Sequence, residues 1–151
     1  MSHLNAQLLN NLADMFIQNN FDSVAEHFVY PIPYYTVANL QVFVTADTMV
    51  KALKIYRERI TIAGVTKIKP RIVAEGMQVR GYSHVWVEWD HLNGNGHCFK
   101  TNQARYVLGN HDENVGPKIE LIEHTVRAFP ELTKQLPIVT TGMNLTAAHP
   151  N

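Results

Sequence analysis

The sequence predicts an α+β domain in which helices come first and an antiparallel sheet follows. Apolar residues recur at helical spacing in three separate stretches within the first 64 of the 151 residues. After Gly64 the period changes to 2 over four long stretches rich in Val, Ile, Tyr and Trp. Helices segregated from antiparallel strands give this class rather than an alternating α/β fold. A strongly curved sheet wrapped around a long helix then makes a cone with a hollow mouth.

Each element has its own local reason. Leu4, Leu8, Leu12, Met15 and Phe16 form the first helical stripe, with Ser2 placed to cap it and Asn19-Asn20 to stop it. Asp22 or Ser23 starts a short second helix, with Val24, Ala25 and Phe28 on its apolar side. Tyr30-Pro31-Ile32-Pro33 cannot continue that helix, because each Pro disfavours the α region in the residue before it. The chain therefore runs extended into Tyr34 and Tyr35, and residues 40–44 read as a short strand. Thr45-Ala46-Asp47-Thr48 caps a third, longer helix with Met49, Leu53, Tyr56, Ile60 and Ala63 on one stripe, and Gly64 ends it. Residues 68–79, 83–92, 97–108 and 118–126 are the four long strands. Asn93-Gly94-Asn95-Gly96 signals a tight hairpin, because Asn and Gly tolerate the positive φ of primed turns.

With that turn, the two faces of the central hairpin can be written out. Val85, Val87, Trp89 and His91 fall opposite Ala104, Asn102, Lys100 and Cys98, with Tyr106 nearby. This face is apolar at its base and is assigned to the interior. The other carries His84, Trp86, Glu88 and Asp90 opposite Arg105, Gln103, Thr101 and Phe99. Its mixture of aromatics and charge pairs suits solvent or a sheet-to-sheet homodimer interface around Trp86 and Phe99. A slip of one residue in register would exchange the faces.

The element order, the helix pair ending in Val24-Ala25-Glu26-His27-Phe28, the Pro-interrupted segment and the closing pair of strands resemble a known superfamily. Over residues 4–128 the chain resembles the NTF2-like, or SnoaL-like, cystatin-like α+β cone: three N-terminal helices packed on a strongly curved antiparallel sheet. The resemblance implies a deep apolar pocket and, commonly, a homodimer. The superfamily includes ketosteroid isomerases, polyketide cyclases, dehydratases, epoxide hydrolases and pure binding modules, so fold alone does not decide function. Isomerase- and cyclase-like members use a buried Asp or an Asp–Arg arrangement. The segment after the second helix offers Tyr34 and Tyr35 in place of the acidic group.

Candidate chemistry rests on few residues. His27, expected near the mouth, is an imidazole and so a candidate general base; the alternative is a His at a helix C-terminus favoured by the macrodipole. Tyr34 can donate its O–H to a substrate oxygen, or simply pack with its hydroxyl wet. Asn102 among apolar neighbours either orients a ligand or bonds to nearby backbone. Trp89 beside Lys100 reads equally as a cation–π contact. Glu120 and His124 fall on one face of the last strand, where edge charge is the simpler reading. The catalytic candidates are thus His27, Tyr34 and Asn102, in a pocket lined by Phe16, Phe28, Tyr35, Tyr56, Val87 and Trp89.

Several function classes are disfavoured. Equal numbers of basic and acidic residues, 13 each, argue against nucleic acid and against a polybasic membrane contact. A lone Cys98 excludes a disulfide framework and a Cys₂ zinc site, and no H-x-x-x-H or H-x-E motif organises the histidines, so no metal is expected. No stretch of about 18 apolar residues spans a bilayer, and the N-terminus lacks the pattern of a secretory signal. The expectation is one cytoplasmic domain over residues 1–136 with an irregular tail over 137–151. It binds a small apolar oxygenated compound without a cofactor, as an isomerase, dehydratase, cyclase or hydrolase. The alternative is a non-catalytic ligand-binding or protein-interaction domain.

Overall fold

The computed structural model describes residues 3–38, 40–126 and 139–140. Helix α1 spans His3–Ile17 and buries Leu8, Leu12 and Phe16 of the predicted stripe together with Asn5, Leu9 and Ala13; of the other two predicted residues, Leu4 is exposed and Met15 half-buried. Its predicted cap, Ser2, lies outside the described residues. The stop is a Schellman motif: Asn20 N donates to Met15 O and Asn19 N to Phe16 O, with Asn19 at φ 63°. Asn is among the few residues that tolerate that left-handed conformation. Helix α2 is a single short turn, Phe21–Ala25, starting one residue before the predicted cap at Asp22.

Helix α3 spans Ala46–Ile62, with Thr45 as N-cap accepting from Thr48 N, as predicted. Met49, Ala52 and Ile60 are its buried residues, whereas Ala63 is exposed. It also ends in a Schellman motif, in which Val65 N donates to Ile60 O and Gly64 N to Thr61 O. Gly64 takes φ 99° there, a conformation that disfavours side chains. Arg57 Nη2 donates to Ile17 O, tying α3 to the carbonyl end of α1.

The strands are β1 Ile32–Tyr35, β2 Leu40–Phe43, β3 Lys67–Glu75, β4 Tyr82–Leu92, β5 Cys98–Gly109, β6 Lys118–Val126 and β7 Val139–Thr140. They form one curved sheet in the order β3-β4-β5-β6-β1-β2-β7. The sheet is mixed rather than wholly antiparallel, because β1 runs parallel to β6. The reason lies just before β1: Val29 N donates to Ile119 O and Ile119 N to His27 O, so the chain leaves α2 already seated along β6. Strand β3 ends at Glu75, short of the predicted residue 79, and β3 and β4 meet through a turn with positive φ at Arg80 and Gly81. Lys67, Lys69 and Pro70 on this edge strand discourage pairing with a further strand. Strand β7 pairs with β2 inside the stretch expected to be irregular. Residues 127–138 and 141–151 lie outside the description.

In the central hairpin Trp89 lies opposite Asn102 and Val87 opposite Ala104, a pairing offset by two residues from that expected. The cause is a longer connection over residues 93–97, in which Asn93 Oδ1 accepts from both Asn95 N and His97 N. An even offset preserves the faces. Val85, Val87, Trp89, His91, Asn102, Ala104 and Tyr106 are therefore buried, while Trp86 lies on the outer face. Past Lys100 the alternation breaks: Leu92 pairs with Cys98, so Phe99 is an extra, unpaired residue, and Cys98, expected inside, sits within reach of Thr101 Oγ1 on the outer face. Lys100 is exposed and pairs across from His91, so the predicted contact with Trp89 does not form.

Candidate functional site

Between the inner face of the sheet and the three helices lies a cavity of about 170 Å³. This is of the order of the ~150 Å³ apolar cavity that accommodates a benzene ring. Its apolar wall comes from Leu12 and Phe16 of α1, Met49 and Ala52 of α3, Phe28, and Ile119 and Ile122 of β6. Its polar groups come from five elements: Tyr34 on β1, Tyr56 on α3, Trp89 and His91 on β4, Asn102 and Tyr106 on β5, and His124 on β6. No Asp, Glu, Lys or Arg is among the lining residues. An apolar cavity with a few convergent polar groups is the usual form of a small-molecule site.

The polar groups are organised into chains. His91 Nδ1 lies 3.0 Å from Trp89 O, which can only accept, so Nδ1 carries the proton. Its Nε2, 3.1 Å from the Tyr56 hydroxyl, then accepts the Tyr56 proton. The Tyr56 oxygen in turn accepts from Asn102 Nδ2 at 3.3 Å. Burial pushes the Tyr56 phenol up to about 12 and holds His91 below its ordinary value, so both stay neutral near pH 7. A second pair joins the Tyr34 hydroxyl to His124 Nδ1 at 3.0 Å. A third runs from Trp89 Nε1 to the Tyr106 hydroxyl at 2.7 Å.

The depressed pKa of His91 has a consequence for stability. A histidine buried neutral binds fewer protons folded than unfolded, so it lowers stability once the unfolded chain protonates, below about pH 6.5. Between pH 7 and pH 5 the unfolding free energy is expected to fall faster for the wild type than for His91→Leu, by up to ~1.4 kcal/mol per pH unit. Urea titrations at pH 7, 6 and 5 measure both slopes; parallel slopes would refute the assignment. Asp90, held low chiefly by its bond to Arg71, acts in a separate window below about pH 4.

The cavity gathers Phe16, Phe28, Tyr34, Tyr56, Trp89 and Asn102 from among the sequence candidates. Val87 is buried on the same face but is not among the lining residues. Tyr35 alternates to the opposite side of β1 from Tyr34 and does not reach the wall. His27 is not brought to the cavity: α2 ends at Ala25, and the His27 Nδ1–H donates to Ser23 O at 2.8 Å.

No protein-family model matches the chain, and no curated protein is similar to it in sequence. Solved structures are. A domain of unknown function with a cystatin-like fold from Nostoc punctiforme superposes with a TM-score of 0.63 at 12% identity, covering 81% of this chain and 74% of that one. An NTF-2 like protein of unknown function from Shewanella oneidensis gives 0.60 at 13% identity, covering 81% and 96%. The chain has the NTF2-like fold. ActVI-ORFA from Streptomyces coelicolor shares it, with a TM-score of 0.61 at 8% identity over 82% of this chain and 92% of that one.

This NTF2-like cavity includes three polar residues outside the predicted site: His91, Tyr106 and His124. The first two lay on the face already assigned to the interior. His124 was hidden by a bulge. Leu108 pairs with Ile119 but Val107 with Leu121, so Glu120 is extra and the alternation of β6 changes phase there. Ile119, Ile122 and His124 consequently all reach the cavity, while Glu120 leaves the face shared with His124 and accepts from His111 Nε2 at 2.9 Å.

The ion pairs of this NTF2-like chain lie elsewhere. Arg71 on the outer face binds Asp90 through Nε and Nη2 at 2.6 and 2.9 Å, and Arg105 binds Glu123 at 2.9 Å. Among the described residues no group of three or more His, Cys, Asp or Glu could hold a metal ion, and no helix is long and apolar enough to cross a membrane.

Proposed function

We propose that the cavity binds a small, largely apolar molecule bearing an oxygen function and acts on it by cofactor-free acid–base chemistry, as an isomerase, dehydratase, cyclase or hydrolase. The observation that supports this best is the convergence of Tyr, His and Asn side chains on an otherwise apolar wall with no carboxylate. Proton transfer then falls to Tyr34, backed by His124 at 3.0 Å, and Asn102 holds the oxygen. His27 has no part in it. The NTF2-like neighbours support small-molecule binding; the Nostoc and Shewanella proteins are themselves of unknown function.

One observation favours a second, compatible reading. Trp86 is 39% exposed on a sheet face that carries Arg71, Arg105, Glu88 and Asp90, and Phe99, in the bulge at the hairpin's end, is 40% exposed. Apolar area ringed by both signs of charge is self-complementary, which suits a second copy of the chain. A purely interacting domain would use this face and leave the cavity idle.

Native mass spectrometry of the purified protein tests both readings. A dimer carrying a releasable small molecule is expected. Tyr34→Phe and Asn102→Leu are expected to weaken retention of that molecule about tenfold or more, since each withdraws one buried hydrogen bond. Full retention by both variants removes the site, and a monomer removes the interface.

A further inference from the structure

Resting on the reading that the cavity takes a small oxygenated molecule, we infer that this molecule is uncharged and that Tyr106 reads it, donating its O–H to a carbonyl or ether oxygen. The wall's composition argues the first half. Its titratable side chains are all Tyr or His, with no carboxylate, ammonium or guanidinium to meet an ionic ligand. An ion moved from water onto such a wall loses several kcal/mol of solvation without a counter-charge to offset it. A carboxylate or phosphate compound is thereby excluded where a ketone of the same shape is admitted.

Tyr106 carries the second half. Its hydroxyl oxygen accepts the Trp89 indole N–H at 2.7 Å, and an indole can only donate. The phenol's own proton must therefore point elsewhere, and among the described residues nothing accepts it. The Tyr56 hydroxyl, by contrast, is engaged on both sides, giving its proton to His91 and accepting from Asn102. The Tyr34 hydroxyl is paired with His124. Burial holds the Tyr106 phenol well above its ordinary range, so it remains a donor at any working pH. A buried O–H lacking an acceptor is unfavourable by ~1–3 kcal/mol, and a ligand oxygen placed against it relieves this. Trp89 acts as a positioning residue: by holding the phenol oxygen it directs the proton into the cavity, with the two rings edge to face.

Three single-ring probes of similar shape test this by calorimetry at pH 8: acetophenone, ethylbenzene and benzoate. Acetophenone and ethylbenzene are expected to bind the wild type, and benzoate to bind at least a hundredfold more weakly than acetophenone. Tyr106→Phe is expected to weaken acetophenone about tenfold while leaving ethylbenzene within about twofold. An infrared spectrum of acetophenone on the wild type, which needs no variant to fold, is expected to show its carbonyl stretch shifted down by the donated hydrogen bond. Benzoate binding like acetophenone overturns the charge selection. An unshifted carbonyl, or equal losses for both neutral probes in Tyr106→Phe, overturns the role of Tyr106. If ethylbenzene and acetophenone both fail to bind the wild type, the small-molecule reading itself falls.

Discussion

Ile60→Ala is expected to remove about 3 kcal/mol of folding free energy, whereas Ile62→Ala in the same helix changes it by less than ~0.5 kcal/mol. The two residues are two positions apart in α3, one fully buried and the other 84% exposed. Deleting a buried Ile loses its transfer free energy and leaves a void that the neighbours fill only in part. Ile60 has a second role, because its carbonyl accepts from Val65 N in the Schellman stop, and Val65 is itself buried. The apolar contact that accompanies this motif joins these two positions, so truncation loosens both the core and the helix end. For a chain of this size the loss corresponds to a melting temperature lower by roughly 6–12 °C. Ile62 supplies the control, since it shares the residue type and helix propensity and differs in burial alone. Paired calorimetric scans of the two variants decide it, and equal shifts would mean that α3 is rotated from its described orientation.

The contrast between Ile60 and Ile62 was legible in the sequence, because it follows from the helical period and the glycine stop. So was the division of the central hairpin into faces. That division survived an error in register because the error was even, and Asn93 explains it: its side chain organises a longer loop than the two-residue turn that Asn-Gly usually marks. The parallel pairing of β1 with β6 was not legible, since it depends on hydrogen bonds between residues 27–29 and Ile119, far apart in the chain. The site was half legible. Tyr34, Tyr56, Trp89 and Asn102 sit where alternation and helical spacing put them. His124 does not, because the bulge at Glu120 changes the phase of β6 and no residue type announces it. His27 stays off the cavity wall for a local reason: the second helix is one turn long and ends at Ala25, and His27 turns back to the Ser23 carbonyl.

The buried chain through Asn102, Tyr56 and His91 links fold to site, and a double-mutant cycle can separate its two contributions. His91→Leu is expected to be destabilised by about 2–3 kcal/mol, because the half-buried Tyr56 O–H loses its acceptor and the buried imidazole its fit between Tyr56 and the Trp89 carbonyl. Tyr56→Phe is expected to lose about 1–2 kcal/mol, since it withdraws the proton that His91 Nε2 accepts and the oxygen that Asn102 Nδ2 donates to. The asymmetry of buried hydrogen bonds makes the double variant informative: removing both partners leaves neither one unsatisfied. Tyr56→Phe/His91→Leu is therefore expected to be more stable than the sum of the single losses implies, by about 1–2 kcal/mol. Strict additivity in urea denaturation would show that the two groups do not act as one chain. The same variants bear on function, because the Tyr56 oxygen accepts from Asn102 Nδ2 and so helps to orient that amide. If Asn102 holds the ligand's oxygen, Tyr56→Phe weakens binding of an oxygenated probe, and the double variant does so equally although it regains part of the stability. A chain that served only to stabilise the core would recover binding and stability together.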